Sequence, residues 1–222
     1  SEILADAVLI AVGRKPNLEG LQLENAGVKY TPKGISTDER LQTTTPNIYA
    51  CGDVVGPHQF SHLAEYQAVL TTINLFLPFK RKFNYRNVLW CTFTDPELAH
   101  LGLTEAEARE KYGGQIKIYR YDYHQLDRAK TDREELGKAK FICDKRGRLV
   151  GAQILGYHAG DLIHEAQLLK SFKIKLAALQ PVIYAYPTYS DLTRQAGKIA
   201  YLEQLQNNFF IKILKKLVVK KR

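Results

Sequence analysis

Two apolar runs, residues 139–143 (AKFIC) and Leu149–Leu155 (LVGAQIL), stand on either side of the short polar stretch DKRGR at residues 144–148. Strand-length segments joined by so brief a turn pair antiparallel, so this part of the chain is committed to a β-hairpin and the sheet it belongs to. Runs of similar character at residues 88–93 and 116–123 supply further strands. Helices are predicted at residues 104–112, where Thr104 and Glu107 have capping-box spacing, at 159–172 and at 190–205. Strands early and helices late predict an α+β layer sandwich with an antiparallel sheet.

Before residue 85 the texture differs. Residues 6–12, DAVLIAV, read as a buried parallel-type strand closed by Gly13. The turn GRKPN follows, and residues 15–47 read as loops with a short strand at 34–37. A second strand is predicted at 48–51. Ser61 to Leu77 carries Leu63, Ala64, Ala68, Val69, Thr72, Leu75 and Phe76 near helical spacing, and Pro78 ends that helix. The polar and aromatic stretch KFNYRN places a domain boundary within residues 80–84.

Bulk properties exclude several classes. The net charge is +9, but the final twelve residues, IKILKKLVVKKR, hold six of the 32 basic residues and no acid, leaving 26 against 23 in the body. The body is therefore not a basic nucleic-acid-binding surface, and no nucleic-acid partner is expected. No run approaches a membrane span, and the first residues carry acids where an export signal would carry bases. Cys51, Cys91 and Cys143 are isolated in apolar runs, which fits small core residues in a reducing cytoplasm better than a disulfide framework or zinc site. His158 and His164 lie six apart, which is not a helical ligand spacing, so no metal is expected. Tyr119, Tyr121 and Tyr123 alternate on one strand face and are expected to pack at an interface. From Phe209, Phe210, Ile213, Leu214, Leu217 and Val218 recur at amphipathic spacing among lysines. That predicts a short helix for the 207–222 tail, packed on its own domain, solvated or resting on an anionic membrane surface.

The stretch TTTPNIYACGDVVG, residues 43–56, carries the chemistry. Glycine lets the backbone approach a ligand closely, and an aspartate at the carboxyl end of a strand can accept hydrogen bonds from sugar-like hydroxyls. A helix start near Ser61 adds N–H groups and a positive dipole end. The combination suits a flavin. It resembles the second flavin-binding motif of the two-dinucleotide flavoprotein reductases, and AVGRKPN, residues 11–17, resembles the segment that leaves their nicotinamide domain. TFTDPELAHLGLTEAEA and GRLVGAQILGYHAGDLI resemble the carboxyl-terminal interface domain of the class I pyridine nucleotide-disulfide oxidoreductases, the group containing dihydrolipoamide dehydrogenase and mercuric reductase.

The resemblance implies residues 1–14 as the last strand of an NAD(P)-binding domain, 15–84 as the closing part of a Rossmann-like FAD domain and 85–206 as a dimerisation domain. By the same resemblance, Gly52 and Asp53 meet the FAD ribityl chain, the Ser61, His62 and Leu63 backbone faces the flavin pyrimidine, and Gly13 and Arg14 lie where the flavin and nicotinamide domains meet. It also implies FAD and NAD(P)H as cofactors and a homodimer. The family's amino-terminal glycine motif and CxxxxC pair are absent from these 222 residues. Together with a start on Ser1 and no methionine, this leads to the expectation of a catalytically inert fragment; the rival is a dimerisation module without catalytic role.

In IYAYPTYSDL, residues 183–192, the catalytic histidine and glutamate of disulfide-reducing members are replaced by Tyr186 and Asp191. A phenol near pKa 10 stays protonated where an imidazole would exchange its proton. Tyr186 is thus expected to face the partner's flavin pocket as a neutral donor or a lid, or simply to fill the space of the lost histidine. Poor reduction of small organic disulfides is expected: tyrosine at this position resembles the mercuric reductase branch and the soluble transhydrogenase, although the tail lacks the cysteine pair of the mercuric reductases.

Overall fold

The computed structural model describes residues 2–209 and 211. The helix predicted for the basic tail falls almost wholly outside them. Two compact units are present, Ser1–Asn84 and Tyr85–Arg222.

In the first unit, β1 (Tyr30–Thr31) and β2 (Gly34–Ile35) form a two-stranded antiparallel hairpin, and α1 spans Ser61–Phe76. Val28, Ile35 and Ala50 make a small core, flanked by Leu18, Leu23, Val54 and Val55. Residues 6–12 do not form the predicted strand: Val8, Leu9, Ile10 and Val12 are all exposed. A parallel strand is held by ladders on both edges and cover on both faces, and no strand of this unit pairs with it. Residues 48–51 likewise make only an isolated bridge, Gln42 to Tyr49, in place of a strand. Helix α1 runs as predicted and stops before Pro78, with Leu77 extended at ψ 145° as the residue before a proline prefers. Its buried face differs from the expected one. Leu63, Gln67, Leu70 and Asn74 point inward, whereas Val69, Leu75 and Phe76 are exposed. Two amides occupy that face because they satisfy backbone groups: Asn74 Nδ2 donates to the carbonyls of Arg40 and Arg81 at 2.9 and 2.8 Å.

The second unit is a five-stranded antiparallel sheet of β3 (Leu89–Thr92), β4 (Leu98–Gly102), β5 (Ile116–Asp122), β6 (Lys138–Asp144) and β7 (Leu149–Leu155), ordered β3-β4-β7-β6-β5. Four helices join it: α2 (Glu105–Tyr112), α3 (Asp127–Asp132), α4 (Ala159–Ser171) and α5 (Asp191–Asn207). The register aligns two apolar rows across all five strands. Leu89, Leu101, Ala152, Phe141 and Tyr119 form one, and Cys91, Ala99, Ile154, Ala139 and Tyr121 the other. These rows meet the inner faces of α4 and α5 through Leu162, Ile163, Ala166, Leu192 and Ala196. Between them runs a row of the opposite face, Trp90, His100, Gln153, Lys140 and Arg120.

Thr104 and Glu107 form the predicted capping box at the start of α2. Helix α4 is capped from a distance, Glu97 Oε2 accepting from the Gly160 N–H at 2.8 Å. Tyr119, Tyr121 and Tyr123 do share one face, but that face is the domain's own core: Tyr119 and Tyr123 are buried and Tyr121 packs against them. Strand β4 was not read from the sequence. Of the cysteines only Cys143 is buried, where desolvation pushes its thiol up to about 12; Cys51 and Cys91 are half-buried.

Candidate functional site

Two of the three threonines that open the flavin-like motif tie it to the Ala26–Lys29 segment. Thr44 Oγ1 accepts from Lys29 N at 2.9 Å, and Thr45 Oγ1 donates to the Ala26 carbonyl at 2.9 Å. Pro46 and the αL residue Asn47 then turn the chain toward Gly52. Gly52 has φ +78°, and a Cβ there would lie 3.2 Å from Ala64 Cβ in the first turn of α1. A side chain would therefore push the motif away from the helix. Asp53 follows in a single 3-10 turn, Gly52–Val54, with its side chain exposed.

The residue that fixes this turn is Gln67, which no reading of the motif itself identified. It is 1% exposed, and its Oε1 accepts from Gly52 N at 2.7 Å. Its signal in the sequence was a polar residue four positions after Leu63 and three before Leu70, on what becomes the buried line of α1. Ser61, His62 and Leu63 form the first turn of the helix, and the Phe60 carbonyl accepts from Leu63 and Ala64. As at any helix start, the first N–H groups point along the axis with the positive dipole end. The rings of His58, Phe60 and His62 stack ahead of it, with successive centroids 6.3 and 5.4 Å apart. Arg14 ties the first motif segment to the loop ahead of α1, its Nη1 donating to the Gln59 carbonyl at 2.8 Å, while Gly13 is exposed at φ +136°. Arg14, Gly52, Asp53 and the start of α1 thus belong to one connected region.

This region fits part of a flavin. A glycine packed against a helix start, a solvent-facing carboxylate beside it and the N–H groups of that helix are a donor and acceptor set for hydroxyls and a pyrimidine edge. A cavity of about 800 Å³ lies elsewhere in the unit, along Lys15 to Leu23 and the Tyr30 to Pro32 hairpin, and includes none of these residues. The motif is an open surface, so cavity size is a poor guide to it.

In the second unit, Tyr186 and Asp191 are not hydrogen-bonded to each other. Tyr186 is 71% exposed, and its hydroxyl donates to Asp127 Oδ2 at 2.6 Å. That bond and the Asp127 charge raise the phenol above its ordinary range, and the same bond holds the Asp127 carboxyl below its own. Asp191 opens α5 and is taken up by its own helix, by Arg194 Nε and by Gln195 Nε2 at 3.0 Å. Within the single chain the phenolic proton of Tyr186 is directed at Asp127. Nearby, Glu165 is held above the usual carboxylate range by burial and accepts from Tyr184 at 3.3 Å.

The comparisons agree with this anatomy. Residues 88–196 match the family model "Pyridine nucleotide-disulphide oxidoreductase, dimerisation domain", and residues 1–69 match "Pyridine nucleotide-disulphide oxidoreductase". The chain is 36% identical over 193 residues to a dihydrolipoyl dehydrogenase of Bacillus subtilis, covering 86% of this chain and 42% of that protein. It is 39% identical over 191 residues to a mercuric reductase of Staphylococcus aureus, covering 85% and 35% respectively. The solved HOCl-induced flavoprotein disulfide reductase RclA of Escherichia coli superposes with TM-score 0.78 at 30% identity, over 86% of this chain and 44% of that one. The chain thus spans less than half the length of the relatives it matches. With two of the family's models lying end to end along it in the family's order, the chain belongs to the pyridine nucleotide-disulphide oxidoreductases.

Proposed function

We propose that this chain is the carboxyl-terminal portion of an FAD-dependent NAD(P)H oxidoreductase, supplying one part of the flavin site and the dimerisation domain of a homodimer in the cytoplasm. The observation that carries the flavin reading is the Gly52–Asp53 turn, packed on the first turn of α1 and anchored by Gln67. In it Asp53 accepts from the ribityl hydroxyls, and the N–H groups at Ser61 to Leu63 face the pyrimidine ring. Arg14 and Gly13 lie toward the nicotinamide side. A flavin held by these residues would supply hydride-accepting and electron-transferring chemistry between a nicotinamide and the acceptor. The homodimer reading is supported by apolar side chains exposed on the helices and loop of the second unit, including Leu168, Phe172, Ile183, Ile199 and Leu202. A Tyr186 in place of an exchangeable histidine favours an acceptor other than glutathione disulfide or lipoamide.

The test is made on the full-length parent. Flavin absorbance at one FAD per subunit, loss of that absorbance in Asp53→Ala, and NAD(P)H oxidation with mercuric ion or a quinone exceeding that with lipoamide are expected. A colourless parent without NAD(P)H oxidation overturns the enzyme reading in favour of a bare dimerisation module. Efficient lipoamide turnover overturns the acceptor reading alone. Sedimentation of a monomer at micromolar concentration overturns the homodimer.

A further inference from the structure

At the β6–β7 turn an open cleft of about 390 Å³ is lined by Lys117, Lys145, Arg146, Arg148, Lys175 and Gln204. Lys117 is neutralised by Glu203 at 2.8 Å, and the other four cations have no ion pair among the described residues. Asp144 is the acid of the turn, and its Oδ1 is used locally, accepting from Arg146 N and Arg148 N at 2.9 Å each. The residues before the final twelve carry 26 basic and 23 acidic side chains, an excess of three; the four unpaired cations less Asp144 account for those same three charges. The charges on the rest of the body sum to zero.

The cleft is also rigidly built. Strands β6 and β7 hold both ends of the turn, Arg148 bridges to Lys175, and Leu176 N donates to the buried Gly147 carbonyl at 3.1 Å. Like charges gathered on a fixed frame repel one another, and that repulsion is relieved by an anion of matching valence. Two guanidinium forks among ammonium groups suit tetrahedral oxyanions, which each fork can grip at two oxygens. A single carboxylate would leave most of the charge unmatched.

We propose that this cleft binds a small molecule carrying two or more linked phosphate groups. The site lies in the second unit and shares no residue with the flavin motif, so the ligand is an addition to the redox reading and stands or falls apart from it.

The experiment is calorimetric titration of the whole chain with pyrophosphate and tripolyphosphate, against orthophosphate and sulfate, in about 0.1 M salt. Saturable binding of one pyrophosphate per chain, at least about tenfold tighter than sulfate, is expected. Lys145→Gln with Lys175→Gln, and separately Arg146→Ser with Arg148→Gln, should each weaken it by about tenfold or more, whereas Lys29→Gln with Lys33→Gln should not. Lys145 and Lys175 are exposed, so the first pair carries the test even if Arg148 contributes to folding. A chain ending at Asn208 should bind as the whole chain does. Pyrophosphate held no more tightly than sulfate, equal loss in the Lys29/Lys33 control, or loss on truncation would each overturn the proposal. Retention of the truncated chain on phosphatidylserine vesicles without pyrophosphate binding would also overturn it, by showing that a lipid surface is the partner.

Discussion

Tyr186 donates its phenolic proton to Asp127 Oδ2 at 2.6 Å, and three residues later Tyr189 donates to Asp132 Oδ2 at 3.0 Å. The two aspartates are the first and last residues of α3. This short helix therefore clamps the Tyr186–Tyr189 segment at both ends. Arg128 and Lys130 pair with Asp132 and Asp127 at 2.8 and 3.4 Å, keeping both acceptors ionised.

Replacing Asp127 with Asn should release Tyr186. The contact raises the phenol and lowers the carboxyl, so it is intact between the two ordinary ranges, about 4 and about 10. It is lost as pH falls through the carboxyl's value and as pH rises through the phenol's. In Asp127→Asn one tyrosinate absorbance phase should move down toward about pH 10, and it should be missing in Tyr186→Phe. An unchanged titration in Asp127→Asn would show that the bond does not persist in solution.

Glu105 should anchor α2 to the sheet through charge. Its carboxylate pairs with Arg109 at 2.8 Å, Arg120 at 2.7 Å and Lys140 at 2.9 Å. Those contacts, Lys140 first, hold its pKa at about 2 against an ordinary 4.5. A folded value below the unfolded one contributes stability above about pH 4.5, lost as pH falls toward 2. The cations are 58%, 54% and 32% exposed, so solvent screening cuts the contribution to about 1 kcal/mol. Glu105→Gln should lower the midpoint of urea unfolding accordingly at neutral pH and converge with the wild type near pH 2. Equal stabilities at pH 7 would count against the network.

Gly156 should resist substitution. It sits at φ +150°, and an added Cβ would lie 2.6 and 2.7 Å from two carbons of the Tyr123 ring. That ring is fully buried, and its hydroxyl donates to the Tyr157 carbonyl at 2.9 Å, so it has no room to yield. Gly156→Ala should cost more than about 2 kcal/mol from overpacking and backbone strain together. Thermal melts within a degree or two of the wild type would refute the packing described at this position.

What could be read from the sequence followed from local rules. The 144–148 turn, the Thr104–Glu107 box and the Pro78 stop are each decided within a few residues, and each stands in the structure. Strand β4 was also readable: Ala99 and Leu101 face the core while Leu98 and His100 face away, a period of two that the neighbouring Asp95 and Pro96 obscured. The strand expected at residues 6–12 failed for the opposite reason, since an apolar run of that kind depends on partners from outside itself. Asp127 was invisible because 59 residues separate it from Tyr186. Lys145, Arg146 and Arg148 stand together in DKRGR, and only the arrival of Lys175 beside them depended on the fold.

Gln67 offers the sharpest test of how the flavin motif is built. Its amide oxygen holds the Gly52 N–H from inside α1, in a position that is 1% exposed and where an apolar residue would otherwise pack. Gln67→Leu keeps the volume but leaves that N–H without its acceptor, at a cost of about 1 to 3 kcal/mol if water does not replace it. Because the cost falls on the turn that presents Asp53, the full-length parent carrying Gln67→Leu should retain less FAD while its dimer persists. Gln67→Glu keeps an acceptor oxygen, and flavin content should recover in part at pH values where the buried carboxyl is neutral. A merely structural glutamine would show lost stability with unchanged flavin stoichiometry and no pH-dependent recovery. That outcome would separate Gln67 from the presentation of Asp53 and reduce it to a packing residue of α1.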